Sequence, residues 1–340
     1  MVRPAMITSE RIGQILADAA SKRTLVLGDM VVDEHIIGAA RQIAREAPIP
    51  VIDQQARLTV PGGATNVAAN LRSLGCDVAV AGVVGSDAAA ERLRQELETL
   101  GIGTRGLVTE PTRATAVKLR VWAGGDRQRP QSMVARVDHV DSSPFSPSTS
   151  QKLSDYLEDA VPQHDGFIVS DYDAGAVSDT ALRTALPTAL ASGILVTADA
   201  HANLGRFRNV TLLTPNQPEA EAELGRKITS SASALAAADE LQKAVNADIV
   251  LLTLGEEGMA LQTATGRSLH LPSSKGSGVA DPTGAGDTVA ASMTAALLGG
   301  ANPVEAAQIA LLAAQVVIRQ LGASVVTSND LQQEANAQTG

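Results

Sequence analysis

Five short runs with almost no polar residues constrain this chain more than any other feature: Thr24-Leu25-Val26-Leu27, Phe167-Ile168-Val169-Ser170, Ile194-Leu195-Val196-Thr197-Ala198, Thr211-Leu212-Leu213 and Ile249-Val250-Leu251-Leu252. They read as buried strands, being too short for helices and lacking the polar alternation of a half-exposed sheet. Helical patterns separate them, among them Ala88 to Leu100 (stopped by Gly101), Asp179 to Leu190 and Ser231 to Ala244. Strand–helix alternation of this kind predicts an α/β fold, a mostly parallel sheet covered by helices on both faces. The runs end in polar residues: Gly28-Asp29, Asp171-Tyr172, Asp199, Asn216 and Thr253. Open parallel sheets bind ligands along that edge.

Composition limits the partners. The chain has 340 residues, 44% of them hydrophobic, enough for one large or two modest domains. Aromatics make up only 2%, so the core is aliphatic and a purine ring would pack between aliphatic side chains. A net charge of -10 argues against nucleic acid or an anionic membrane as partner. The single cysteine, Cys76, excludes an internal disulfide and fits a reducing cytosol, and the five histidines lack metal-ligand spacing. Met1 to Ser21 has no apolar core of a signal peptide, and no run approaches membrane-spanning length, so a cytoplasmic protein is expected.

The stretch Asp281-Pro282-Thr283-Gly284-Ala285-Gly286-Asp287-Thr288 leads straight into an apolar helical run, Val289 to Leu298. A helix start leaves backbone N–H groups unpaired and carries partial positive charge, so amides from Gly284 to Asp287 suit an anion such as a phosphate. Glycine and alanine permit close approach of backbone to ligand. An aspartate beside such a nest repels a resting phosphate; as a general base, however, Asp287 would take the proton of a hydroxyl attacking the phosphorus. The plain alternative is a first-turn helix acid after a glycine loop.

Other segments have plain local readings. Asp29 and Asp33, two carboxylates four residues apart, read as the polar end of a strand. Pro61-Gly62-Gly63-Ala64-Thr65-Asn66 opens a helix from Val67 to Leu74 and reads as a glycine-rich turn with a helix cap. Residues from about Ile36 to Val60, around Pro48 and Pro50, read as edge strands, and Ala114 to Trp122 and Met133 to Val137 as two further strands. Asp141 to Ser150 reads as a loop. Pro218 and Glu219 satisfy helix-start rules by themselves, and Gly255-Glu256-Glu257-Gly258 reads as a hairpin corner. Asn302-Pro303-Val304-Glu305 starts a long helix expected to end at Gly322. No dinucleotide GxGxxG follows the first strand and no GxxxxGK[ST] occurs, which removes the Rossmann and P-loop readings.

The octet as a whole resembles the C-terminal signature of the ribokinase-like (PfkB) carbohydrate kinases, and matching segments run in the same order from about residue 23 to 328. Ala47-Pro48-Ile49-Pro50-Val51 is similar to a segment of the heptose-7-phosphate kinase branch. The resemblance implies a ribokinase-like domain over 23–340 after an N-terminal extension, 1–22, with a small β-sheet lid from about 36–60 and 113–138 that covers the sugar and mediates a homodimer. It implies ATP-dependent phosphorylation of a sugar or sugar phosphate. Asp287 would be the base and Gly284, Ala285 and Gly286 the anion-binding turn. Asp33, Gly62, Gly63, Asn66 and Asp171 would bind the sugar. Asn216, Thr253, Gly255, Gly258 and Gly286 would meet the nucleotide. Glu219 would hold Mg2+ through water, and a monovalent cation such as K+ would lie near Asp281 and Thr283.

The chain also departs from the branch pattern. Two lysines expected by resemblance are Ala174 and His201, a nucleotide-side asparagine is Leu311, and a Ser-Arg-Ile-Ser-Pro segment is Arg41-Gln42-Ile43-Ala44-Arg45. Lys118, Arg120 and Arg136 remain on the expected lid strands, so a phosphorylated seven-carbon sugar is the expected substrate, with a neutral hexose or pentose as alternative. A non-catalytic sugar or nucleotide sensor on the same fold is the competing class. The adenylyltransferase half that accompanies this branch is not expected, the chain ending soon after its last helix.

Overall fold

The computed structural model of the chain describes residues 6–126, 129–273, 283–320 and 324–339. Seven parallel strands form the body of one sheet: β1 (Arg23–Gly28), β4 (Asp77–Val84), β5 (Gly103–Thr109), β8 (Gly166–Asp171), β9 (Leu195–Ala200), β10 (Leu212–Leu213) and β11 (Ile249–Thr253). Antiparallel β12 (Met259–Thr263) and β13 (Ser268–Leu271) extend one side, giving the order β13-β12-β11-β10-β9-β8-β1-β4-β5.

The lack of polar alternation in β1 has a direct cause. Val26 points into one core, while Leu25 and Leu27 point into the other. The first core is closed by α1 (Ser9–Ala19), α2 (Ala64–Ser73), α3 (Ala88–Thr99), α8 (Ala285–Leu298), α9 (Pro303–Val317) and α10 (Ser328–Thr339), through residues such as Ile12, Val67, Leu93, Val289, Ile309 and Leu331. The second is closed by α4 (Pro147–Ala160), α5 (Asp179–Ala191), α6 (Gln217–Leu224) and α7 (Ser231–Val245), through Leu153, Leu182, Ala220 and Leu241. Burying both faces removes water from every residue of a central strand, which is why Val, Leu and Ile dominate there.

A second sheet has the order β3-β2-β6-β7, from β2 (Met30–Ile43), β3 (Pro50–Gly63), β6 (Ala116–Asp126) and β7 (Arg129–His139). It grows from the ligand edge of the first, because β2 begins two residues after β1 ends. Near that edge β2 is buried from Met30 to His35; farther out, residues 50–59 of β3 include none that is buried. Among the described residues, eight of the twelve large exposed hydrophobics (Ile43, Ile49, Val51, Leu58, Met133, Val134, Val137 and Val140) lie on this sheet or its flanking turns.

Several expectations need correction. The stretch expected to be an N-terminal extension contains α1, whose Ile12, Ile15, Leu16 and Ala19 are buried in the main core and whose Arg11 pairs with Glu305 of α9 at 2.9 Å. The Asp141 to Ser150 loop ends early: Ser146 caps α4 and Pro147 takes its first turn, a position where proline costs no hydrogen bond. α9 ends at Val317, and Gly322 lies outside the described residues. No helix among the described residues is long and apolar enough to cross a membrane.

Candidate active site

α8 starts where Gly284 adopts φ +78°, a left-handed conformation that favours glycine. Its first intrahelical bond is Thr288 N–H to Gly284 O at 3.0 Å, so the amides of Ala285, Gly286 and Asp287 precede the helical ladder. Among the described residues, a Cβ built on Gly286 meets no atom within 4 Å, which leaves space in front of this turn. Thr283 is half-buried beside it; Asp281 lies outside the described residues.

The Asp287 carboxylate is 4% exposed and held by two donors. Asn66 Nδ2 donates to Oδ2 at 2.7 Å, and the Tyr172 hydroxyl donates to Oδ1 at 2.5 Å. Asn66 is in turn fixed by Asn70, whose Nδ2 donates to Asn66 Oδ1 at 3.2 Å and whose Oδ1 accepts from Val326 N–H at 3.3 Å. Asn66 therefore spends its amide on the carboxylate, a partner that the sugar assignment does not foresee. Burial pushes the Asp287 carboxyl up to about 6, while the two hydrogen bonds pull against that rise. Burial and the neighbouring Asp287 charge push the Tyr172 hydroxyl well above its ordinary range, so it stays a donor.

The Tyr172 backbone is held by Asp29. Its Oδ2 accepts from Tyr172 N–H (2.9 Å) and Ala174 N–H (3.0 Å), and its Oδ1 from Ala176 N–H (2.9 Å). A buried carboxylate that organises three amides fixes the loop after β8 as firmly as a strand would. In the same loop Asp171 accepts from Asp173 N–H at 3.0 Å and pairs with Arg206 at 3.2 Å. Burial raises its carboxyl to about 6.

Asp33 approaches Asp287 from β2 and adds to the carboxylate field there. Its Oδ1 lies 2.9 Å from Nη1 of Arg120 on β6, with both side chains nearly buried, yet neither atom completes a hydrogen bond. Charges are paired and donor directions are not, so the ion pair is real and one acceptor and one donor remain unsatisfied. Gly62 and Gly63 make room here: a Cβ on Gly62 would fall 2.7 Å from Asp33 Cγ, and one on Gly63 2.8 Å from Asp29 O, at φ +55°. These glycines are required by the protein's own packing, whatever the ligand.

On the far side of the edge, Asn216 and Glu219 form a complete capping box at the start of α6. Glu219 accepts from Asn216 N–H (2.7 Å), Asn216 Nδ2 (2.6 Å) and His201 Nδ1 (2.6 Å). The hydrogen bond to Glu219 raises the His201 imidazole above its ordinary value. Between this group and Asp287 lies Asp199, which accepts from Thr214 Oγ1 at 2.9 Å and is raised to about 7, mainly by burial. Asn216 bridges to Thr253, whose strand turns back through Gly255 and Gly258. The turn joins antiparallel β11 and β12, and a Cβ on Gly258 would sit 2.1 Å from Leu271 O, so the hairpin reading accounts for that glycine. Leu311 packs half-buried against the core on α9.

The sequence-selected residues thus gather on one edge, with Asp33, Asn66, Asp171 and Asp287 on one side and Asn216, Glu219 and Thr253 on the other. Sequence reasoning placed Tyr172 and Asp199 at strand ends without giving them a role, and missed Asn70, Arg206 and the anchoring role of Asp29. Only the position of Tyr172, directly after a strand-end aspartate, was a signal.

A helix N-terminus with open amides, next to a buried carboxylate at the edge of a parallel sheet, defines a phosphoryl-transfer class of site. Residues 22–330 match the pfkB family carbohydrate kinase pattern, and the chain belongs to that family of sugar kinases. It is 37% identical over 314 residues to the "Bifunctional protein HldE" of Citrifermentans bemidjiense, covering 92% of this chain and 63% of that protein. It is also 37% identical over 310 residues to the protein of the same name from Shewanella baltica, covering 91% and 62%. The chain therefore spans less than two thirds of the length of these relatives. In fold it is similar to phosphofructokinase-2 from Escherichia coli in complex with substrates and products (TM-score 0.75, 19% identity, 94% of this chain and 100% of that one). It is likewise similar to Arabidopsis thaliana ribokinase complexed with ribose and ATP (TM-score 0.71, 17% identity, 93% and 99%).

Proposed function

We propose that this sugar kinase transfers the γ-phosphoryl group of ATP to a hydroxyl of a phosphorylated seven-carbon sugar, D-glycero-β-D-manno-heptose 7-phosphate at O1. The observation that carries the transfer is the pairing of the Asp287 carboxylate with the amides of residues 285–287. The sugar hydroxyl gives its proton to Asp287 as its oxygen bonds to the γ-phosphorus, and the bond from that phosphorus to the bridging oxygen breaks, releasing ADP. The amides of Ala285, Gly286 and Asp287 meet the charge on the transferring group. Asp33 and Asp171 accept hydroxyls of the sugar, and Asn216, Thr253 and Gly255 border the nucleotide.

Glu219 fits a magnesium contact through water. Three of about four lone-pair sites of its carboxylate are already taken, which leaves one to accept a water of the ion's shell. Among the described residues no group of three or more acidic, His or Cys side chains can hold a metal, so the ion would arrive with the nucleotide. Magnesium held there would neutralise phosphate charge. A monovalent cation at Thr283 and Asp281 completes the proposal.

Cation placement supports the anionic substrate through Lys118, whose Nζ lies 4.8 Å from the Tyr172 ring centre. It also favours a second reading. Arg120 is committed to Asp33, Arg136 to Asp138 and Arg41 to Asp53, which leaves fewer cations for a sugar phosphate and suits a neutral hexose or pentose. Measuring kcat/KM for heptose 7-phosphate beside neutral sugars decides between them. A preference for the phosphate that weakens with salt supports the first reading; equal or better use of a neutral sugar rejects the heptose and leaves the kinase standing.

The second sheet would act as the lid over the sugar and as a homodimer contact. Long strands with both faces in water are poorly stabilised alone, and a second copy would cover the apolar side chains they expose. ATP as donor and a single reduced cysteine suit a cytoplasmic enzyme.

A further inference from the structure

We propose that Tyr172 is a positioning residue for Asp287: its hydroxyl aims the carboxylate and sets the pH at which it can act as a base. The inference rests on the assignment of Asp287 as general base and extends it to a residue outside the phosphate-binding turn.

The geometry is that of a clamp. A carboxylate on the first turn of α8 is free to rotate about its side-chain bonds unless both oxygens are held, and here each has one donor: Asn66 on Oδ2 and Tyr172 on Oδ1. The tyrosine is itself fixed at three points. Its N–H is bound by Asp29, its ring stands edge-on to His201 with centroids 4.4 Å apart, and Lys118 of β6 lies over the ring at 4.8 Å. A side chain held at its backbone, edge and face has little freedom left to lose, so its hydroxyl is preorganised.

The charged groups around the pair come from three strands and one loop, facing the carboxylate that α8 supplies. Asp33 lies on β2, Lys118 on β6, Asp199 on β9, His201 just beyond β9, and Asp287 on α8. Asp33 opposes ionisation of Asp287 and His201 favours it. Burial is the largest influence and opposes ionisation, and the tyrosine hydrogen bond is the largest one that favours it. Removing that bond leaves a carboxylate that is both less ionised and freer to turn. The Asn66 bond alone constrains one oxygen only.

The test separates aiming from mere packing. In ligand-free protein labelled with 13C-aspartate, the Asp287 carboxyl, assigned from its absence in Asp287→Asn, is titrated in wild type, in Tyr172→Phe and in protein made with 3,5-difluorotyrosine. The chain has two tyrosines, and the other, Tyr156, lies on α4 away from the site. The phenylalanine variant is expected to titrate at higher pH than wild type. The more acidic fluorinated phenol, a stronger donor of unchanged shape, is expected to titrate at lower pH and serves should Tyr172→Phe fail to fold. The acid limb of kcat/KM for the sugar should move the same way, so that Tyr172→Phe loses about tenfold below the limb for each unit of rise and less on the plateau. An unchanged Asp287 titration, or a loss equal at every pH, would overturn the proposal. Should Asp287→Asn keep its turnover, the base assignment fails, and the carboxyl titration still judges the clamp.

Discussion

Glu219 shows how one side chain serves two ends. As the N3 residue of the α6 capping box it satisfies the Asn216 amide, and in the proposed function its remaining oxygen capacity would meet the metal through water. Glutamine can still accept from the Asn216 N–H but turns an amide N–H2 toward Asn216 Nδ2 or His201, so Glu219→Gln is expected to lower stability by about 1–3 kcal/mol and to raise the magnesium concentration needed for half-maximal rate. An unchanged magnesium dependence would remove Glu219 from the metal's surroundings. At this scale the sequence was informative about strand ends and silent about partners. Asp33, Asp171, Asn216 and Asp287 announce themselves by following apolar runs or a glycine turn. Tyr172 shares such a position, but its role does not show there, because its partner is 115 positions away, and the Asn66–Asp287 bond spans 221. Pairings across such distances depend on how helices and strands stack, which local propensity does not encode.

Element by element, the legible features were those with local causes. Proline and capping residues locate the starts of α6 and α9, and two-faced burial makes β1, β8 and β11 readable from composition alone. α1 and α4 were not legible as parts of the body: α1 buries only one stripe, and α4 follows a stretch rich in serine and proline that looks like a loop up to its cap. The α8 turn yields a paired prediction. Gly284→Ala forces a left-handed φ on a residue with a side chain and should lower stability by about 1–3 kcal/mol. Gly286→Ala meets no neighbour among the described residues and should leave the unfolding temperature the same or higher, yet reduce kcat/KM by about tenfold or more, because its methyl group occupies the space proposed for the phosphoryl group. Full activity in Gly286→Ala would place the phosphate elsewhere.

For the whole molecule, two cores on the faces of one sheet make a rigid body, and the second sheet projects from its ligand edge with uncovered apolar residues. The proposed dimer predicts that Leu58→Asp combined with Val137→Asp halves the mass measured by sedimentation while the far-UV circular dichroism spectrum is retained. A wild type that sediments as a monomer at micromolar concentration would contradict it. The general architecture was legible in the strand–helix alternation; the packing of α1 and α10 against α8 and α9 was not, since it joins the two ends of the chain.

The central claim is that Asp287 removes the proton from the acceptor hydroxyl. Its most direct test is the pH dependence of kcat/KM for ATP-dependent sugar phosphorylation by wild type and Asp287→Asn. A base raised to about 6 must be ionised to act, so wild-type activity should fall as the pH drops through that value. The isosteric amide accepts no proton and should lower turnover by about 10²- to 10⁴-fold, with ATP binding retained. Near-normal turnover in Asp287→Asn, with the acid limb still in place, would contradict the account.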